Sequence, residues 1–281
     1  MMLSFMNLET IQAEQKLFVR HVLGPEAAEE PGVVPYFTAL NQVQRYKVLF
    51  DERGQGPRRE FDLAIPEVRD FLLRTDFKEV GVEQTYDSAR QEVTRKKLDE
   101  GFEIVRGVAP QLPEVINRLT GMFVFAHLDD WAAGSGRYAA GIIWLNMLKE
   151  APALEYAEYL VHETTHQALY LYEMIHTLFS RPLQELGRPE ALVVSSIRKV
   201  PRSLLHAFHA ACVSVNLVQF YDALGMPDKA DTFFDPLLLT LSQLREKSSS
   251  YMTRGGIAVL EEMEALMNRR QTIRTNMTLA A

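Results

Sequence analysis

Residues 155 to 172 read Glu-Tyr-Ala-Glu-Tyr-Leu-Val-His-Glu-Thr-Thr-His-Gln-Ala-Leu-Tyr-Leu-Tyr. At about 100° per residue, His162 and His166 lie one helical turn apart on one face, where both imidazoles reach a single ion. Glu163 stands one step round from His162 and leans toward a water or ligand on that ion, so the motif offers two ligands and one acid/base. Around it, Leu154, Ala157, Leu160, Val161, Ala168, Leu171, Tyr172, Ile175 and Leu178 recur at helical spacing, which predicts a buried amphipathic helix. Paired histidines on such a helix are costly to bury unless something pairs with them, which points to a metal.

Just before this helix, Ala140-Gly141-Ile142-Ile143-Trp144-Leu145-Asn146 has the composition of a strand. Strand, short linker and metal helix in that order suggest an extended segment beside the metal, either a peptide-binding edge or a plain core strand. Two more strands are predicted upstream, at Phe102 to Val108 and at Met122 to Leu128, with a turn over Ala132 to Arg137.

Elsewhere the periodicity is helical: residues 7 to 23, stopped by Gly24-Pro25; a stretch opening at Pro35; Pro66 to Leu73; a charged surface helix from about Tyr86 to Gly101; and Pro110 to Leu119. Glu26 to Val34 and Gly54 to Arg59 read as loops, and Lys47 to Phe50 as a helix end or short strand. Downstream, Pro201 opens a long helix to about Leu224, and two more follow at about Pro236 to Ser250 and Ile257 to Gln271. The fold class is α+β, predominantly helical, with a small sheet next to the His-Glu-x-x-His helix. The 281 residues read as one elaborate domain, with a mainly helical part over 1–100, a metal-site core over 101–225 and C-terminal helices over 226–281.

Composition narrows the function classes. A net charge of -7 argues against a nucleic-acid-binding role, since phosphate binding needs a basic surface. The local basic clusters, Arg58-Arg59, Arg95-Lys96-Lys97 and Arg269-Arg270 with Arg274, read as solvated faces, the last with some capacity to meet an acidic peptide. No apolar run reads as a membrane span and the N-terminus lacks the pattern of a secretion signal, so a cytoplasmic setting is expected. The single Cys212 rules out an internal disulfide and a thiolate-rich site, leaving His, Asp and Glu as metal ligands.

The third ligand decides the chemistry. Glu185 follows His166 after eighteen intervening residues, the spacing of thermolysin-like zinc peptidases; there Glu163 is the general base that activates a zinc-bound water. The other option is the helix that Pro201 opens, on which Arg202, His206 and His209 form one stripe at i, i+4 and i+7. An arginine near a metal-binding histidine suits a site whose extra ligand is a small carboxylate, which guanidinium grips through two bonds.

Three pieces together resemble a known family, the His-Glu-x-x-His 2-oxoglutarate-dependent peptide β-hydroxylases of ribosomal peptide biosynthesis. Gly141 to Asn146 resembles the strand before the motif, Leu160 to Gln167 its centre, and Arg202 to Tyr221 its downstream arginine-to-histidine helix, about the middle third of the chain. In that family the arginine is usually followed by proline, leucine and glycine, with the histidine seven positions on. Here Ser203 replaces the proline and His206 stands where glycine is usual, so His206 is an extra histidine beside the matched His209. The resemblance implies Fe(II) held by His162, His166 and His209, with 2-oxoglutarate bound through Arg202 and O2 as co-substrate. The implied reaction is hydroxylation of a side-chain carbon, at the β position, in a ribosomally made precursor peptide. Zinc is the metal if the peptidase alternative holds. No membrane or nucleic-acid partner is implied.

Overall fold

A computed structural model describes residues 2–53, 55–74, 87–126, 133–146 and 151–280, the side chains of 72–74 and 276–280 excepted. The chain packs as two compact units, Phe5–Ile175 and Met1–Ser4 with His176–Ala281. Helices dominate both, and the strands form a four-stranded sheet and a separate two-stranded one, so the architecture is α+β and predominantly helical.

In the first unit, α1 (Leu8–Leu23) starts at Asn7, whose side chain accepts from Glu9 N, and stops at Gly24 as its sequence predicts. A short α2 (Pro25–Ala28) replaces part of the expected loop, and α3 (Val34–Val43) follows. Lys47 to Phe50 is neither helix nor strand. β1 (Arg58–Glu60) is a strand where a polar loop is expected, because its charged side chains border the sheet while its backbone pairs with β2. α4 (Pro66–Arg74) matches its expectation.

The largest correction is at Phe102 to Val108. These residues are not a strand but the last turns of one helix, α5 (Ser88–Val108). The β-branched composition misleads there; the buried positions Thr94, Leu98, Gly101 and Val105 keep three-to-four spacing through the expected boundary. Gly101 is the contact point, since a Cβ there would stand 3.0 Å from Tyr156 Cβ and 3.1 Å from the Ala157 nitrogen on the metal-motif helix.

After α6 (Leu112–Leu119) come β2 (Met122–Ala126), β3 (Ala133–Ser135) and β4 (Ile142–Asn146), then α7 (Ala153–Ile175). The expected ends at His127-Leu128, Ala132, Gly54 and Tyr86 lie outside the described residues. The sheet order is β1-β2-β4-β3, parallel except for β3, which runs antiparallel to β4. β4 is therefore interior, with all five residues buried, and is not a peptide-binding edge. The expected turn over Ala132 to Arg137 is instead strand β3 followed by a 3-10 turn, Arg137–Ala139. Gly134 makes that strand possible: a Cβ there would lie 2.5 Å from the Trp144 ring.

The second unit holds a hairpin, β5 (Val193–Val194) with β6 (Pro201–Arg202), and three long helices, α8 (Leu204–Ala223), α9 (Pro227–Tyr251) and α10 (Arg254–Ala280). α8 begins at Leu204 rather than Pro201, because the Ser203 hydroxyl accepts from His206 N and caps it. α8 is long and apolar enough to cross a membrane by length and composition, contrary to the sequence expectation, and most of it is buried within the protein. α9 begins at Pro227, where the missing N–H costs nothing, and runs through Pro236 instead of starting there. The basic cluster on α10 spends its charge locally. Arg270 bonds both Asp222 oxygens at 2.7 and 3.0 Å and lies 2.8 Å from Asp231, and Arg274 reaches Asp231 and Asp235.

Candidate metal centre

The motif lies mid-helix on α7, anchored by Leu160, Val161, Ala168, Leu169 and Leu171, all essentially inaccessible. Gln167 fixes its register against the sheet. Its side-chain amide is fully buried, accepting from Gly141 N at 2.7 Å and donating to the Ile142 carbonyl at 3.0 Å. The helix thus cannot slide or rotate against β4 without stranding two backbone groups.

On the other face, His162 and His166 are half-buried with ring centroids 5.2 Å apart. Glu163 is 4% exposed; its Oε2 accepts from the Ser135 hydroxyl at 2.7 Å, and its Oε1 lies 3.8 Å from His162 Nε2. Burial pushes the Glu163 carboxyl up to about 7, with the Ser135 bond acting the other way. Tyr170 stacks on His166, centroids 6.1 Å apart and planes at 14°, and its hydroxyl also bonds with Ser135. Burial raises the Tyr170 phenol, helped by the Glu163 charge. One turn on, Glu173 faces Arg137 at 3.8 Å.

Two imidazoles one turn apart, with a carboxyl alongside, fit a borderline divalent ion such as iron or zinc by donor chemistry. Within this unit, no third His, Cys, Asp or Glu among the described residues completes a metal-holding group. His209, His206, Arg202 and Glu185 all belong to the other unit. His209 is buried on α8, 6% exposed. His206 is exposed at the start of α8, its Nδ1 2.7 Å from Ser203 Oγ. Its pKa is lowered by desolvation first and then by the charges of Arg202 and His209.

Arg202 is exposed on β6, outside the helix, so the three-residue stripe of the sequence reduces to His206 and His209 at i, i+3. The cap at Ser203 is the cause: it sets the chain extended one residue after Arg202. Glu185 lies in a 3-10 turn, Glu185–Gly187, not on a helix.

Sequence reasoning passes over Ser135, Gln167 and Tyr170 as site residues. Gln167 leaves a signal, a long amide on the helix flank turned away from the histidines. Ser135 leaves none, being 28 residues from its partner. Compared with protein-family models and with curated proteins, the chain matches none.

Proposed function

We propose that the chain is an Fe(II)/2-oxoglutarate-dependent oxygenase acting in the cytoplasm, which hydroxylates the β carbon of a side chain in a ribosomally made peptide. The observation that carries this reading is the His162–His166 pair, two half-buried imidazoles on one helix face with rings 5.2 Å apart and a buried carboxyl beside them. In this reading His162, His166 and His209 hold the iron, and Arg202 grips a carboxylate of 2-oxoglutarate through its two-pronged guanidinium. When bound, iron and 2-oxoglutarate together supply the activation of O2 that ends in a hydroxyl on the substrate carbon, with 2-oxoglutarate losing CO2. With its carboxyl pushed up to about 7 by burial, Glu163 is protonated in part at neutral pH, so it orients a water or ligand beside the pair by donating as well as by accepting.

One observation favours a second reading. A buried carboxyl poised near 7 is what a zinc peptidase needs in its general base, with Glu185 as third ligand. Against it stands the position of Glu185 in a short 3-10 turn rather than on a helix.

Anaerobic addition of Fe(II) and 2-oxoglutarate separates the two. The oxygenase gives a visible charge-transfer band that His209→Ala abolishes and Glu185→Ala leaves intact. Loss of metal in Glu185→Ala with none in His209→Ala overturns the oxygenase in favour of the peptidase.

A further inference from the structure

The contacts around the histidine pair close into a circuit. His162 faces His166; His166 stacks on Tyr170; Tyr170 bonds to Ser135; Ser135 donates to Glu163; and Glu163 Oε1 returns to His162 at 3.8 Å. Four members lie on one face of α7, and only Ser135 comes from another element. A serine hydroxyl has one donor hydrogen and two acceptor lone pairs, so it can donate to the Glu163 carboxyl and accept from the Tyr170 phenol at once.

Ser135 is itself held firmly. It pairs in register with Ile143 on β4, and its neighbour Gly134 lies so close against the Trp144 ring that a Cβ would not fit. Glu163 has three side-chain torsions and a nearly inaccessible carboxyl. With Oε2 tied to Ser135, the other oxygen lies beside the His162 ring nitrogen, 3.8 Å away.

We propose that Ser135 is a positioning residue for the metal centre: its one hydroxyl sets both the Glu163 carboxyl and, through Tyr170, the plane of the His166 ring before an ion arrives. The role rests on the metal-binding reading above. It assigns the sheet a direct part in the site, since the strand β3 delivers the group that orients two residues of the motif helix. Tyr170 acts through its stack on His166, and its phenol is the smaller of the two contributions.

The test uses the full chain, with Co(II) alone as a spectroscopic probe and a stability cycle on the metal-free protein. Ser135→Ala weakens Co(II) binding by about tenfold, the size usual for loss of a group that orients a metal site, and alters its visible absorption. Ser135→Thr keeps the hydroxyl and restores both; Tyr170→Phe gives a smaller loss. In the metal-free protein, Ser135→Ala, Glu163→Ala and the double variant show a coupling of about fivefold in the unfolding equilibrium constant. Wild-type Co(II) affinity and spectrum in Ser135→Ala overturn the proposal, as does absence of coupling. Coupling without any Co(II) uptake by the wild type removes the metal-binding reading and reduces Ser135 to a structural bond, a result distinct from a missing Ser135–Glu163 contact.

Discussion

Replacing Gln167 with leucine tests how the motif helix is held. The amide is fully buried and serves two backbone groups at the start of β4, the Gly141 N–H and the Ile142 carbonyl. Leucine has similar bulk but neither donor nor acceptor. Each stranded buried group costs about 1–3 kcal/mol, and the gain from burying an apolar side chain offsets part of this, so the expected loss is about 2–4 kcal/mol. At about 2–4 °C per kcal/mol for a protein of this size, the melting temperature falls by roughly 4–16 °C.

Urea and thermal unfolding followed by circular dichroism measure it. Gln167→Glu adds a directional check. The introduced carboxylate still accepts from Gly141 but sets an oxygen against the Ile142 carbonyl, a conflict removed when that carboxyl is protonated and can donate. Its folded pKa is thereby raised above the unfolded one, so the variant gains stability as pH falls and loses it as pH rises. A loss below about 0.5 kcal/mol in Gln167→Leu, the range of an ordinary surface change, would refute the tie and leave packing alone to hold helix against strand.

Three further outcomes are expected. Thr164 is fully buried with a hydroxyl that has no hydrogen-bond partner among the described residues, so Thr164→Val raises stability by about 1 kcal/mol in urea unfolding; a drop would reveal a partner for that hydroxyl. The Glu163 carboxyl, raised by burial from 4.5 to about 7, favours its protonated form in the fold. Metal-free wild type therefore has this contribution in full below about pH 4.5 and loses about 3 kcal/mol as pH rises through 7, while Glu163→Gln lacks that slope; parallel stability–pH curves would exclude it. Arg270, whose side chain is 12% exposed, joins Asp222 and Asp231 beneath Phe234. Arg270→Ala costs about 2–4 kcal/mol by thermal unfolding, and Arg270→Lys recovers less than half because it lacks the two-pronged fork; full recovery would show that charge alone matters.

What could be read from the sequence follows the range of the interactions. The histidine pair is legible because its geometry is set by four residues of helix, and the stops of α1 and α8 are legible for the same local reason. Residues 102–108 mislead because Ile104, Val105 and Val108 carry a strand-like composition, whereas the deciding contact, Gly101 against Tyr156 and Ala157, is tertiary. β3 is hidden in the opposite sense: Ala133-Gly134-Ser135 has the residues of a turn, and only the Trp144 ring lying on Gly134 explains a strand there. Ser135 as a partner of Glu163 cannot be read locally, since the bond depends on the sheet bringing residues 28 apart within reach. Arg202 shows the limit of counting by helical turns, because one capping serine moves it off the helix.

The charged border strand β1 has a bearing on how molecules of this protein meet one another. A sheet that ends in open backbone groups invites a strand from a second chain, and such growth leads toward aggregation. Arg58, Arg59 and Glu60 stand on that border, and Arg59 is tied to Asp99 while Arg58 is tied to Glu60. An incoming strand would have to lie against three consecutive charges and displace those pairs. The polar residues that disguise β1 as a loop in the sequence are therefore the ones that guard this border of the sheet, the other border being β3.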